Sequence, residues 1–185
     1  MVTRRDDPLP NIGSVAAGNA GEFYALQIFI RRGFVAGKAP EGTSRYDLLV
    51  MSGDACTFKP VQVKTITDGR HWILGRTHEE AIDNLIFCFV KFTRIDDLPK
   101  LYLIPASVVS HVITMGHQIY MTLPNRQGGI RRGSSLRTLE SDFSVLVNNF
   151  NSPEEYLNED QMIFIRTHSR GWLDEYENNF DLFTA

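Results

Sequence analysis

The sequence predicts an α/β (α+β) domain, a mixed central sheet flanked by helices. Three observations carry this reading: a helical period near the N-terminus, short segments with strand character in the middle, and further helical periods after them. The 185 residues fit one domain with at most a small appendage. Hydrophobic residues at 43% and charged residues at 22% exclude a predominantly disordered, fibrous or coiled-coil chain. The longest purely apolar run, residues 85–90, is far below the about 20 residues of a membrane span.

Residues 1–13 are polar, carry two prolines and read as a loose arm. Over residues 14–32, Phe23, Ala25, Leu26, Phe29 and Ile30 recur at helical steps, with Ser14 as N-cap. Gly33 follows Arg31 and Arg32 as a helix stop should. Residues 45–51 and 58–66 read as strands. In the second, Val61, Val63 and Thr65 alternate with Gln62 and Lys64. Only residues 53–56 are needed for the turn, so the pair reads as an antiparallel hairpin, with Pro60 marking an irregular or edge start. Residues 67–70 form a turn, and 78–84 a short helix or loop. Residues 85–92 read as a buried strand and 101–104 as another. Pro105 leads into a helix over 106–115, with Val108, Val109, Val112 and Ile113 on one face. A further strand is expected at 119–123, helices at 138–150 and 174–183, and a short strand at 162–166. The expected organisation is an arm (1–13), a core (14–123), a basic Gly/Ser loop (124–137) and a C-terminal extension packed on the core (138–185).

The opening residues hold no apolar segment of the signal-peptide kind, and the two cysteines, Cys56 and Cys88, form no framework. The expected setting is the reducing cytoplasm, with no membrane. A net charge of −3 excludes a chain coated in positive charge. Charge is nevertheless polarised. Arg126, Arg131, Arg132 and Arg137 are spread through a Gly- and Ser-rich stretch without one acid. This reads either as a loop that clamps phosphates or as a solvated surface loop. Arg31, Arg32 and Lys38 would extend such a surface.

The hairpin brings unlike polar groups together. Counting outward from its turn, Ser52 opposes Thr57, Asp47 opposes Gln62, and Arg45 opposes Lys64. Directly opposed Cβ atoms lie about 4.5–5.5 Å apart, and a slip of one residue would move Gln62 and Lys64 to the other face. A carboxylate, an amide and an ammonium on one face of an apolar hairpin need partners. A hard divalent cation would partner the carboxylate, and the lysine would serve a phosphate oxygen or an attacking water. That is the equipment of metal-assisted phosphodiester hydrolysis. Taken singly, Glu22 reads as a solvated helix residue, Asp47 as a strand-end acceptor and Lys64 as an edge residue. Taken in order and in register, they read as a site.

The ordered set Gly18-x-x-Gly21-Glu22, Tyr46-Asp47-Leu48-Leu49-Val50 and Val61-Gln62-Val63-Lys64 resembles the PD-(D/E)xK nuclease superfamily. The similarity is greatest to its Holliday-junction resolvase-like and small homing-endonuclease-like branches, and it spans residues 14–104. It implies a restriction-endonuclease-like α-β-β-β-α-β core and a DNA endonuclease. Asp47 would be the main metal ligand, with Glu22 binding directly or through water. Gln62 and the backbone carbonyl of Val63 would be further oxygen ligands, and Lys64 would orient or activate water. Mg²⁺, with Mn²⁺ as substitute, is the implied ion. The implied partner is duplex or branched DNA, cut by a homodimer, with no nucleotide cofactor. Tyr46 stands where the family name has proline. Gln62 stands where an acid is usual, which removes a negative charge and weakens metal binding. The alternative is a nuclease-fold module that binds nucleic acid or protein without cleaving.

Arg45 and His71 complete the expected nucleic-acid contacts. Trp72 reads as core packing before base stacking. His78 with Glu79 and Glu80 lacks a further spaced ligand and is set aside as a second metal site.

Overall fold

The computed structural model describes residues 12–40, 42, 45–51, 58–67, 69–95 and 97–184. Most of the expected arm and the hairpin turn at 53–56, with Cys56, lie outside the described residues. The elements are α1 (Gly13–Arg31), β1 (Val35–Lys38), β2 (Leu48–Met51), β3 (Phe58–Ile66), β4 (His71–Gly75), β5 (Ile86–Lys91), β6 (Lys100–Pro105), α2 (Ala106–Thr122), β7 (Leu136–Glu140) and α3 (Glu159–Thr167), with short 3-10 turns between them. The class is α+β. Among the described residues, no helix is long and apolar enough to cross a membrane.

The chain folds as two compact units whose boundaries cut across the expected divisions at 123 and 137. The first holds Met1–Gly69, Ile82–Ala106 and Tyr176–Ala185; the second holds Arg70–Ala81 and Ser107–Glu175.

The first unit is a five-stranded mixed sheet in the order β1-β2-β3-β5-β6. Only the β3–β5 pairing is parallel. The α-β-β-β-α-β order is not met here. Between β3 and β5 the chain makes β4 and one 3-10 turn, Arg76–Glu79, and the next α-helix follows β6. The β2–β3 register is the expected one, Leu48 opposite Val61, but the ladder ends there, so Arg45 and Lys64 form no pair within it. β1 was not anticipated; its four residues, Val-Ala-Gly-Lys, are too few to show alternation.

Leu48, Val50, Val61, Val63, Ile86, Cys88, Val90, Leu101 and Leu103 face a common core with Ala25 and Phe29 of α1. Apolar burial is what binds helix to sheet here, at about 25 cal/mol per Å². Gly21 sits where α1 crosses β3. A Cβ there would fall 1.9 Å from Thr65 Oγ1, so only glycine allows this approach. α1 starts at Gly13 with Ile12 at its N-cap and no side-chain cap, so Ser14 is not the cap. It ends as expected, with Gly33 at φ +89°. The tail adds to the same core. Phe29 meets Phe183 at 4.9 Å and Phe180 at 5.5 Å between ring centroids, and Arg32 caps the Phe180 ring at 4.0 Å.

From residue 107 onward the structure corrects four expectations. Residues 119–123 do not form a strand; α2 runs through to Thr122. Residues 138–150 are not a helix. They give β7, paired with β4, and then a 3-10 turn, Phe143–Leu146. Residues 162–166 are helical, inside α3, whose start is fixed by an Asn158–Gln161 capping box. Met162-Ile163-Phe164-Ile165 is apolar enough for either period, and the cap decides it. The expected helix at 174–183 is two 3-10 turns, Asp174–Tyr176 and Phe180–Phe183. Trp72 is buried, as its packing role requires. His168 packs between Phe164 (4.2 Å) and Trp172 (5.0 Å).

Candidate active site

Asp47 stands one residue before β2, where the β2–β3 ladder ends. Its backbone extends both neighbouring pairings: its N–H donates to Val61 O and its carbonyl accepts from Ala39 N–H, both at 2.8 Å. β3 continues past this point and needs another acceptor on the same edge. The Asp47 side chain supplies it, with Oδ2 accepting the Val63 N–H at 2.7 Å. In an extended strand the N–H and C=O of one residue point to the same side. The Val63 carbonyl therefore faces the edge on which Asp47 lies.

Val61 and Val63 pack toward α1, so alternation sends Gln62 and Lys64 from the opposite face. Gln62 is 6% exposed. Its Oε1 is fully buried and has no hydrogen-bond partner among the described residues, an arrangement that costs about 1–3 kcal/mol if nothing meets it. Lys64 is half-buried. Glu22 comes from α1 and pairs with Lys38 of β1 at 2.8 Å.

Asp47 is the electrostatic node. Burial pushes its carboxyl above the usual range and the Val63 N–H pulls it back. Glu22 raises it further, while Lys64 and Lys38 lower it. Glu22, Lys64 and Lys38 thus all lie near enough to act on the Asp47 carboxylate. Lys38, expected only as part of a basic surface, belongs to this group. The strand that carries it left no alternation in the sequence.

The donors fit a hard divalent cation. They are all oxygen: the carboxylates of Asp47 and Glu22, the Val63 carbonyl, and the buried, unpartnered Gln62 Oε1. Among the described residues no three His, Cys, Asp or Glu side chains gather as a metal cluster. Burial and a nearby carboxylate leave Cys88 a protonated core residue, its thiol pushed up first by desolvation and then by Asp47.

The remaining expected contacts are distributed. Arg45 is exposed in the first unit. Arg126 and Arg132 are exposed in the second. Arg131 is anchored through Nε to Leu123 O (2.9 Å) and lies 4.2 Å over the Tyr120 ring. Arg137 is a correction. It is 5% exposed, lies in β7, and donates from Nε to Glu79 Oε1 at 2.5 Å and from a terminal nitrogen to Ser134 O at 2.7 Å. It is a structural cation, and Glu79 is its counter-ion. The loop is also built. Asn125 Oδ1 accepts the N–H groups of Gln127 and Gly129. His71 is half-exposed in the second unit, with Nδ1 3.8 Å from Glu140 Oε2. No family model and no curated protein matches the chain.

Proposed function

We propose that the protein is a metal-dependent DNA endonuclease of the PD-(D/E)xK kind, with Glu22, Asp47, Gln62 and Lys64 at its site. Two observations support this best: the Asp47 carboxylate is fixed at the end of a ladder by the Val63 N–H, and the Oε1 of Gln62, on the same strand as Val63, is buried with no partner among the described residues. Asp47, Glu22, Gln62 Oε1 and the Val63 carbonyl would hold Mg²⁺ or Mn²⁺. When bound, the ion supplies Lewis-acid activation of water and of the scissile phosphodiester. Lys64 brings positive charge and N–H donors to a phosphate oxygen or to the attacking water. The Val63 N–H holds the Asp47 carboxylate in one orientation, which preorganises the site. Duplex or branched DNA is the proposed substrate, and cutting both strands calls for a pair of subunits. Arg45, Arg126, Arg131 and Arg132 are the proposed phosphate contacts.

The test is nicking of supercoiled plasmid and cleavage of labelled branched DNA in Mg²⁺, Mn²⁺ or chelator, for wild type beside Lys64→Ala. Metal-dependent cleavage that the variant loses is expected. A folded wild type that cleaves neither substrate overturns the reading.

One observation favours a second reading, a module that binds nucleic acid without cleaving. Lys38 lies 2.8 Å from Glu22 and already balances the second carboxylate. Salt-sensitive DNA binding without cleavage would select this reading.

A further inference from the structure

Within the second unit, a cavity of about 290 Å³ is lined by α2, β7, the loop before it and the Phe143–Leu146 turn. This is the small end of the ~300–1,000 Å³ range of small-molecule pockets. Two charged side chains on its wall are nearly fully buried, Arg137 and Glu140, the latter 9% exposed. Arg137 is engaged by Glu79 and by backbone carbonyls. Glu140 is less well served. Its ion partner, His71 Nδ1, is 3.8 Å away, beyond hydrogen-bond reach. Thr138 adds one hydrogen bond, where an ionised carboxylate can accept about four. Glu140 is therefore a buried acceptor with capacity left for N–H donors.

The rest of the wall pairs an apolar side, Tyr120, Leu136 and Leu146, with the polar groups of His117, Ser134 and Thr138; Phe143 is 1% exposed and closes the cavity's base. Gly116 is part of this construction, since a Cβ there would lie 2.4 Å from Phe143 Cε1. Tyr120 and Leu146 also line a neighbouring open groove of about 780 Å³ that carries Arg126 and Arg131. Arg132 lines the cavity itself and is exposed. An accessible aromatic ring, one buried acceptor and arginines alongside are what a base attached to phosphates requires.

We propose that this cavity binds a single nucleobase, its N–H edge on Glu140 and its ring against Tyr120 and Leu146, with the phosphates of an unpaired strand along Arg126 and Arg132. This rests on the reading that the protein acts on nucleic acid. A free nucleotide carries the same chemistry, and the test separates the two.

The full chain is titrated in chelator with a single-stranded oligonucleotide carrying 2-aminopurine, with its duplex, and with guanosine monophosphate. The single strand is expected to change the 2-aminopurine fluorescence. Tyr120→Ala should bind about tenfold more weakly, in line with loss of one stacked base, while Tyr120→Phe restores binding. Glu140→Gln should also weaken it, since an amide gives up acceptor capacity. A strand that binds without a fluorescence change, or binds Tyr120→Ala equally well, overturns the pocket. A monophosphate that binds as tightly as the strand keeps the base site and overturns the strand assignment. Nicking by a wild type that gives no base signal sinks the pocket alone; a base signal without nicking sinks the nuclease reading alone.

Discussion

Oδ2 of Asp47 takes the Val63 N–H at 2.7 Å, in the place a backbone carbonyl would occupy had β2 continued. The side chain thus serves both the fold and the proposed chemistry, and two substitutions separate the roles. Asp47→Asn keeps an acceptor oxygen for Val63 and removes the charge. Asp47→Ala removes both and strands a backbone donor, which costs about 1–3 kcal/mol. Both should lose at least about 100-fold in metal-dependent cleavage, the scale on which a charge-stabilising group contributes. Only the alanine variant should lose stability in urea titration. Wild-type cleavage by Asp47→Asn would remove Asp47 from the site.

Gln62 yields an opposed pair of effects. Its Oε1 is buried and unpartnered, so Gln62→Glu places a charge where burial penalises it. In chelator the variant should melt lower than wild type. In Mg²⁺ the added carboxylate should tighten binding and recover the loss. Calorimetry showing unchanged or weaker Mg²⁺ binding would place Gln62 outside the ligand set.

Gly21 tests how closely α1 must approach β3 to deliver Glu22. In Gly21→Ala the new Cβ meets Thr65 Oγ1 at 1.9 Å and Thr65 Cβ at 2.9 Å. Overpacking of this kind typically costs about 1–3 kcal/mol. Thr65→Ala removes the nearer atom but leaves the Cβ, so the double variant should recover part of the loss. Additive losses would show that the two residues do not meet.

The hairpin was readable because its register follows from turn length and alternation, and Leu48 opposite Val61 settles it. Of the candidate site, the alternation that sets Gln62 and Lys64 on the face opposite Val61 and Val63 was legible for the same reason. What was not readable depends on distant partners. β4 and β7 form because they pair with each other across about 60 residues, and neither has a pattern strong enough alone. Arg137 sits in a Gly/Ser-rich basic stretch that looks solvated, yet Glu79, in a segment read as helix or loop, draws it inside. The helix expected over 174–183 does not form as one piece. Trp172 instead packs against Phe143 and His168 in the second unit, and Phe180 and Phe183 against Phe29 in the first.

Glu140 predicts a pH dependence of stability. Burial pushes its carboxyl above the ordinary value of 4.5. His71 from β4, the Thr138 hydroxyl and Arg70 lower it, and Asp142 raises it. Between 4.5 and the raised value, the folded chain holds a proton that the unfolded chain has released. The folded state then binds more protons, so this contribution to stability is present below 4.5 and is lost as pH rises through the folded value. Urea midpoints measured in steps across that window should fall with rising pH in wild type relative to Glu140→Gln, which has no proton to lose. His71→Ala, by removing the nearest cation, should steepen the fall. Wild type and Glu140→Gln giving parallel midpoint curves would mean that Glu140 titrates alike in both states and is not buried as a carboxyl.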